Sequence, residues 1–293
     1  MNHSVSIIGA GRVGRTLGKC LRDLGWRIGA VVTRSERTSR AAVRAIGAGT
    51  PFSAISPESF YAPTILVTTP DDLLAPTAAA LAHIGGRSGC RGKVVLHTSG
   101  ALDRTVLKPL ARLGAATGSL HPMQTFSGCN VPKLEGTIFA VEGDPQARQV
   151  ARLIARSLGG VAIDIDRRNK AAYHASAILV AGNALGLVEA ATQVLIKAGF
   201  PRRRALQTLL PLMRQVIDNF ERLGPRQSWT GPVARGDYSV VARHMKALAD
   251  YPPEFRQAYA TLARLSVRVL SAKPNAQLMQ LGSALKKFRG GKS

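Results

Sequence analysis

The chain has 293 residues, a formal net charge of +23, 45% hydrophobic and 5% aromatic residues. That hydrophobic share supplies a core for one large or two ordinary domains and sets disorder aside. Cys20, Cys90 and Cys129 are odd in number and widely spaced. They make no disulfide framework, metal motif or redox pair, and suit a reducing compartment. No run of about 18 uninterrupted apolar residues occurs, so no membrane span is expected. The first strand begins almost at once, leaving no room for a signal peptide, so the expected compartment is the cytoplasm. The basic residues are scattered, as in Arg15, Arg22, Arg27, Arg34, Arg37, Arg40 and Arg44, and are densest in the final KKFRGGKS. With no helix-turn-helix, zinc finger or aromatic-basic platform, specific nucleic-acid binding is not expected.

Ser4 to Gly14 reads SVSIIGAGRVG. Val5, Ile7 and Ile8 form the apolar run of a buried parallel strand, and Gly9, Gly11 and Gly14 follow with G-x-G-x-x-G spacing. The next residues, RVGRTLGKCLRDLG, are patterned as a helix. In that context the first glycine makes a tight turn, the second admits a pyrophosphate to the backbone, and the third lets helix and strand pack closely. Arg12 and Val13 then begin the helix whose free N–H groups face the phosphates.

Ile28 to Val32 reads as the second strand. An acid at its end, about twenty residues past the glycines, would take the ribose 2′-hydroxyl of NAD. Here Thr33, Arg34 and Ser35 offer hydroxyls and a guanidinium, which suit a 2′-phosphate, so the expected cofactor is NADP. Arg37 is a second clamp, or both arginines belong to an exposed basic loop. Further strands read as 64–68, 93–97, 115–120, 137–141 and 161–165. Asp71 or Asp72 is expected to cap a helix running to Ile84, and another helix spans 145–158.

Ligands of open parallel sheets lie off the carboxyl ends of the strands. Thr68, Thr69 and Pro70 end one strand, His97, Thr98 and Ser99 the next, and His121 another. His97 and His121 could bind substrate or move protons, or each could anchor its turn through the backbone.

Beyond Asp166 the pattern becomes helical, which divides the chain into residues 1–166 and 167–293. A long helix is expected over 169–198, about 45 Å at ~1.5 Å per residue. Lys170 and His174 share one face of it, whereas Asn183 lies on roughly the opposite side unless the helix bulges near Gly182. Asn183 could hold substrate or tie two helices together. A further helix covers 203–223, interrupted at Pro211 if anywhere. Arg235, in a glycine- and proline-fixed loop, could anchor an anionic substrate or pair with Asp237. Helices to about 249, from 252 to 272 and from 277 to 288 complete the chain. The fold class is therefore α/β: a Rossmann-like, doubly wound, mostly parallel sheet followed by an all-α domain.

The segments GAGRVG, ILVTTPDD, VVLHTSGAL, GSLHPMQTF, YHASAILVAGN and TGPVARGD occur in that order. Together they resemble a two-domain family of Rossmann-like NADP-binding proteins with a helical C-terminal domain of unknown function. Members are provisionally labelled NADP oxidoreductases, or deazaflavin-dependent-like. The architecture is similar to pyrroline-5-carboxylate reductase, ketopantoate reductase and the β-hydroxyacid dehydrogenases. The resemblance implies a small-molecule substrate in an interdomain cleft and a homodimer formed through the helical part. The hydroxyacid dehydrogenases use a catalytic Lys followed four residues later by Asn. Here Lys170 is followed by His174, a departure from that pattern.

The expected function is hydride transfer to or from a small carbonyl, hydroxy or imine compound. The nicotinamide would sit past Thr68-Thr69-Pro70 and near Ser99. His121 or His174 would be the acid/base, with Lys170 also a catalytic candidate, and Asn183 and Arg235 orienting the substrate. No metal is expected. A non-catalytic NADP sensor or scaffold, and a basic nucleic-acid-associated protein, are the other two readings.

Overall fold

The computed structural model describes residues 3–128 and 132–286. Cys129 and nearly all of the basic C-terminal run lie outside the described residues. Contacts divide the chain into two units, Met1–Gly182 and Asn183–Ser293.

The first unit alternates strands and helices: β1 (Ser4–Ile8), α1 (Arg12–Asp23), β2 (Arg27–Val32), α2 (Glu36–Ile46), β3 (Thr50–Phe52), β4 (Thr64–Val67), α3 (Asp71–Cys90), β5 (Val94–His97), α4 (Lys108–Arg112), β6 (Ala116–Pro122), β7 (Ile138–Gly143), α5 (Pro145–Ser157), β8 (Val161–Asp164) and α6 (Lys170–Val180). The eight strands form one sheet in the order β3-β2-β1-β4-β5-β6-β7-β8. Neighbours run parallel throughout except β7, which is antiparallel to β6. The order reverses between β1 and β4, and a doubly wound sheet opens its ligand crevice at such a point.

Strand alternation builds a core on each face of the sheet. Ile7, Leu66 and Leu96 point to one face, where Leu17, Leu21 and Ile46 cover them. Ile8, Ile65, Val67 and Val95 point to the other, under Leu74, Ala78 and Leu81. With both faces covered, the strands read as continuous apolar runs rather than alternating ones. The short edge strand β3 contains Pro51 and escaped the sequence pattern; proline is tolerated at a sheet edge.

Several local expectations change. α3 begins at Asp71 with Pro70 as its N-cap and no side-chain cap, so neither Asp71 nor Asp72 serves as the cap. It continues past Ile84 to Cys90, through a non-helical Gly86 at φ 53°. The helix expected over 169–198 is interrupted at Ala181, with φ −107° and ψ −77°, next to Gly182. The division by contacts falls within this helical stretch, with Lys170 and Tyr173 of α6 bonded to residues of the sheet unit.

The second unit comprises α7 (Gly182–Lys197), α8 (Arg202–Ser228), α9 (Pro232–Arg235), α10 (Tyr238–Ala247), α11 (Pro253–Leu270) and α12 (Pro274–Lys286). Val241, Met245, Val267, Leu281 and Leu285 form its core, between α10, α11 and α12. Arg202 grips Glu189 with two nitrogens, at 2.9 and 2.8 Å. α8 runs through Pro211 and is irregular instead at Gly224, with φ 75°. Among the described residues one helical stretch, Arg167–Lys197, is long and apolar enough to cross a membrane by length and composition, with a mean hydropathy of 1.5. Scattered polar residues still break every apolar run within it.

Candidate active site

The glycine cradle sits at the switch point. Gly9 has φ 85°, and a Cβ there would come within 2.5 Å of Thr69 Cγ2. At Gly14 a Cβ would lie 2.3 Å from Thr68 Oγ1 and 3.1 Å from Ile7 Cγ2. These two glycines permit close packing. Gly11 differs: only Gly9 O, at 3.8 Å, lies near its Cβ position. The space over Gly11 is therefore open, and α1 begins there with no side-chain cap on its N–H groups. Arg12 is exposed and Val13 half-buried at that helix start. Thr68 Oγ1 donates to Gly9 O at 2.9 Å and ties β4 to the turn. Thr69 Oγ1 is buried beside the cradle with no partner among the described residues. An open glycine, an uncapped helix N-terminus and an orphaned hydroxyl fit a bound pyrophosphate.

At the end of β2, Ser35 is the N-cap of α2, its Oγ accepting from Thr38 N at 3.3 Å. Thr33 Oγ1 lies 2.6 Å from Thr38 Oγ1. Arg34 and Arg37 are exposed and make no salt bridge with another described residue. The guanidiniums are thus free for an anion, while the hydroxyls hold the turn.

A second group of polar residues gathers beyond β5 and β6. The loop after β5 is organised by Ser99. Its Oγ donates to Asp71 Oδ2 at 2.8 Å and accepts from Ala101 N at 3.2 Å and Leu102 N at 3.0 Å. Ser99 N donates to His97 Nδ1 at 3.2 Å. His97 is fully buried, and that bond puts its proton on Nε2, which has no partner among the described residues. Thr98 N continues the ladder to Val67 O at 3.2 Å. His97 and Ser99 are therefore spent on shaping the loop.

Lys170 is 1% exposed. Its Nζ donates to Ser99 O at 3.1 Å and to Ser119 Oγ at 2.7 Å. Burial holds this amine down at about 8, against the opposing pull of Glu142, Asp103 and Asp71. One turn along α6, Tyr173 Oη lies 3.0 Å from His121 Nδ1. The rings of Tyr173 and His174 both stand edge-on to His121, with centroids 5.4 and 5.7 Å away. Gly100 makes room for this arrangement: a Cβ there would lie 2.6 Å from His174 Nδ1 and 2.8 Å from His121 Nε2.

The electrostatics favour neutral imidazoles. Burial, helped by the Lys170 charge, pushes His97 down to about 3. Burial, then His174 and Lys170, pushes His121 down to about 4. Burial pushes the Tyr173 phenol up to about 12, so it stays protonated.

Of the sequence candidates, one unit brings together His97, Ser99, His121, Lys170 and His174. Asn183 and Arg235 belong to the other unit. Asn183 is exposed there, and Arg235 ends the short α9, its Nε donating to Asp237 Oδ2 at 2.9 Å. Tyr173, Ser119, Asp71 and Gly100 were not singled out for the site. Two signals could have found the first pair: Tyr173 is i+3 from Lys170, and Ser119 is two residues from His121 on one face of β6. Among the described residues no group of three His, Cys, Asp or Glu side chains could hold a metal.

The fold and cradle define a dinucleotide-binding α/β protein. A family model described as a Rossmann-like domain matches residues 1–122, and one described as a domain of unknown function, DUF2520, matches residues 137–266. The chain thus carries a Rossmann-like domain followed by a domain of the DUF2520 type. A solved structure from Bacteroides fragilis, provisionally described as an NADP oxidoreductase, is 25% identical, with a TM-score of 0.72 over 90% of this chain and 98% of that one. An imine reductase from Streptomyces aurantiacus is similar in fold, with 17% identity and a TM-score of 0.65 over 98% and 100% of the chains. So is a reductive aminase from Aspergillus terreus in complex with NADPH and ethyl-5-oxohexanoate, with 17% identity and a TM-score of 0.61 over 100% and 97%. No curated protein matches the sequence significantly.

Proposed function

We propose that the protein is an NADP-dependent oxidoreductase acting on a small carbonyl, hydroxy or imine compound. The observation that carries this reading is the glycine cradle at the switch point, open only over Gly11, with polar side chains gathered past the neighbouring strand ends. The described NADP oxidoreductase and the NADPH-bound reductive aminase are consistent with it. When bound, the nicotinamide would supply the hydride. This chain's residues do the rest: the α1 N-terminus holds the pyrophosphate, and Arg34, with Arg37, grips the 2′-phosphate. Asp71 and Lys170 brace the Ser99 loop beside the reacting atoms.

The cofactor is tested by titrating wild type and Arg34→Ala with NADPH and NADH, read by fluorescence. A charge-assisted contact is worth about 1.5–3 kcal/mol, so the variant loses ~10- to 100-fold in NADPH affinity and little in NADH affinity. Tighter binding of NADH by wild type would overturn the NADP assignment.

The working form is a homodimer joined through the helical unit. Leu212, Val216, Phe220 and Leu223 fall on one stripe of α8 and are 61%, 48%, 54% and 45% exposed. Such a stripe calls for a covering surface. Light scattering is expected to give twice the chain mass, and Phe220→Asp to shift the protein toward the single-chain mass. A wild-type monomer at micromolar concentration would rule this out.

A further inference from the structure

We propose that Tyr173 is the proton donor to the oxygen of a carbonyl substrate, with its phenol aimed by the imidazole of His121. The proposal rests on the oxidoreductase reading above and names its acid and its substrate class.

The argument begins with which protons at this strand edge are already committed. The Ser99 hydroxyl proton points to Asp71. Two of the Lys170 N–H groups go to Ser99 O and Ser119 Oγ, and the amine is sealed from solvent. His97 is buried and its Nδ1 accepts from the loop. A Cβ at Gly100 would crowd His121 Nε2 and His174 Nδ1, and that His174 nitrogen is buried with no partner among the described residues. The shifts of the buried His97 and the half-buried His121, down to about 3 and about 4, favour their neutral forms at neutral pH, so neither holds a stored acid. Two groups remain, the His174 imidazole with its unpartnered Nδ1 and the Tyr173 O–H, and of these it is the phenol that a side-chain hydrogen bond holds in place. It is half-buried, one turn from Lys170, and its oxygen is fixed at 3.0 Å from His121 Nδ1.

The chemistry selects a carbonyl. When a carbonyl carbon gains a hydride, the C–O π pair moves to oxygen, which becomes a strongly basic alkoxide and needs one proton. An imine instead needs its proton before the hydride arrives, which calls for a stronger acid than this phenol. The Tyr173 proton passes to the alkoxide, giving the alcohol and a phenolate. His121 Nδ1–H donates to that phenolate and stabilises it, and water reprotonates it after the alcohol leaves. This requires neutral His121 to carry its proton on Nδ1, so that the phenol hydrogen is free to aim at substrate. The opposite tautomer would consume the phenol proton in a bond to Nδ1.

Two measurements test this. Nitrogen NMR of histidine-labelled protein, assigned with His121→Gln, reports the tautomer without any cofactor or substrate. Nδ1–H is expected, and Nε2–H overturns the proposal. Turnover of NADPH with small ketones and aldehydes is then compared in wild type, Tyr173→Phe and His174→Gln. Tyr173→Phe is expected to bind NADPH as wild type does and to lose ~100- to 10,000-fold in kcat, the usual contribution of a positioned acid. His174→Gln should lose less than ~10-fold. Carbonyl turnover surviving in Tyr173→Phe, or lost only in His174→Gln, overturns the assignment of Tyr173 while leaving the oxidoreductase reading in place. Turnover of imines but not of carbonyls by wild type overturns the substrate class. Failure of wild type to bind NADPH at all overturns the oxidoreductase reading, and this proposal with it.

Discussion

Lys170→Met is expected to keep NADPH binding and to lose ~100-fold in turnover, the scale at which a catalytic geometry displaced by about 1 Å suffers. The side chain touches neither the glycine cradle nor the Arg34 loop, so the cofactor site is left intact. It does hold Ser99 O at 3.1 Å and Ser119 Oγ at 2.7 Å, and so joins the loop after β5 to β6 beneath His121. Methionine fills the same volume without either bond.

Stability behaves differently from activity in this variant, and the sign depends on pH. Burial lowers the Lys170 amine from 10.5 to about 8. Below pH 8 the amine is charged in both the folded and unfolded chains. Between pH 8 and 10.5 the unfolded chain binds the proton and the folded one does not, so wild-type stability rises with pH across that window. The rise amounts to about 3 kcal/mol, the penalty that burying the charge imposes at neutral pH. Against this, methionine leaves two buried oxygens without a donor, at about 1–3 kcal/mol each. Near pH 7 these terms oppose each other, and the variant should unfold within ~2 kcal/mol of wild type. At pH 10 the wild type gains and the variant does not. Urea denaturation at the two pH values measures this; equal pH dependence in both proteins would sink the argument. Removing the charge also lets His121 climb partway from about 4, since burial, the larger cause, remains. The acid limb of any pH–rate profile should move up accordingly.

Much of this fold was legible because local patterns and the sheet agree. The β1–α1 unit carries an apolar run, three spaced glycines and an amphipathic helix, and all three demand the same geometry. The reversal of strand order puts Gly9 beside Thr68 and Thr69, as strand-end placement implied. The chemistry beyond β5 was less legible, because it depends on pairs far apart in sequence. Asp71 looked like a helix cap. Its carboxylate instead accepts the Ser99 hydroxyl, a contact that no pattern around residue 71 encodes. His97 and Ser99 stood correctly at a strand end, yet a strand end does not say whether polar atoms face a ligand or are consumed by the loop. The spacing of Lys170 and His174 showed a shared face, and the 3.6-residue period adds Tyr173 to it; which of the three is buried is set by Ser119, on a strand some fifty residues away. The interruption at Ala181 and the continuation through Pro211 show the same limit. Propensity marks where a helix can yield, and packing decides where it does.

The second large effect separates two glycines that a motif treats alike. Gly11→Val is expected to melt close to wild type, within ~1 kcal/mol for the weaker N-cap, and to lose at least ~100-fold in NADPH affinity. Its Cβ meets nothing nearer than Gly9 O at 3.8 Å, so the apo fold has room for a side chain at this position. That side chain then fills the space the pyrophosphate needs and shields the uncapped N–H groups of α1. Gly14→Val fails for a different reason. Its Cβ would fall 2.3 Å from Thr68 Oγ1, the atom that donates to Gly9 O, and 3.1 Å from Ile7 in the middle of β1. Helix α1 must back away from the sheet, at about 1–3 kcal/mol for overpacking. Affinity falls because the cradle is distorted, along with the melting temperature. Thermal melting and NADPH titration of both variants decide the matter. If Gly11→Val binds NADPH normally, the space over Gly11 is not the phosphate site. If both variants lose stability equally, that space is not open, and the glycine motif is a packing device at all three of its positions.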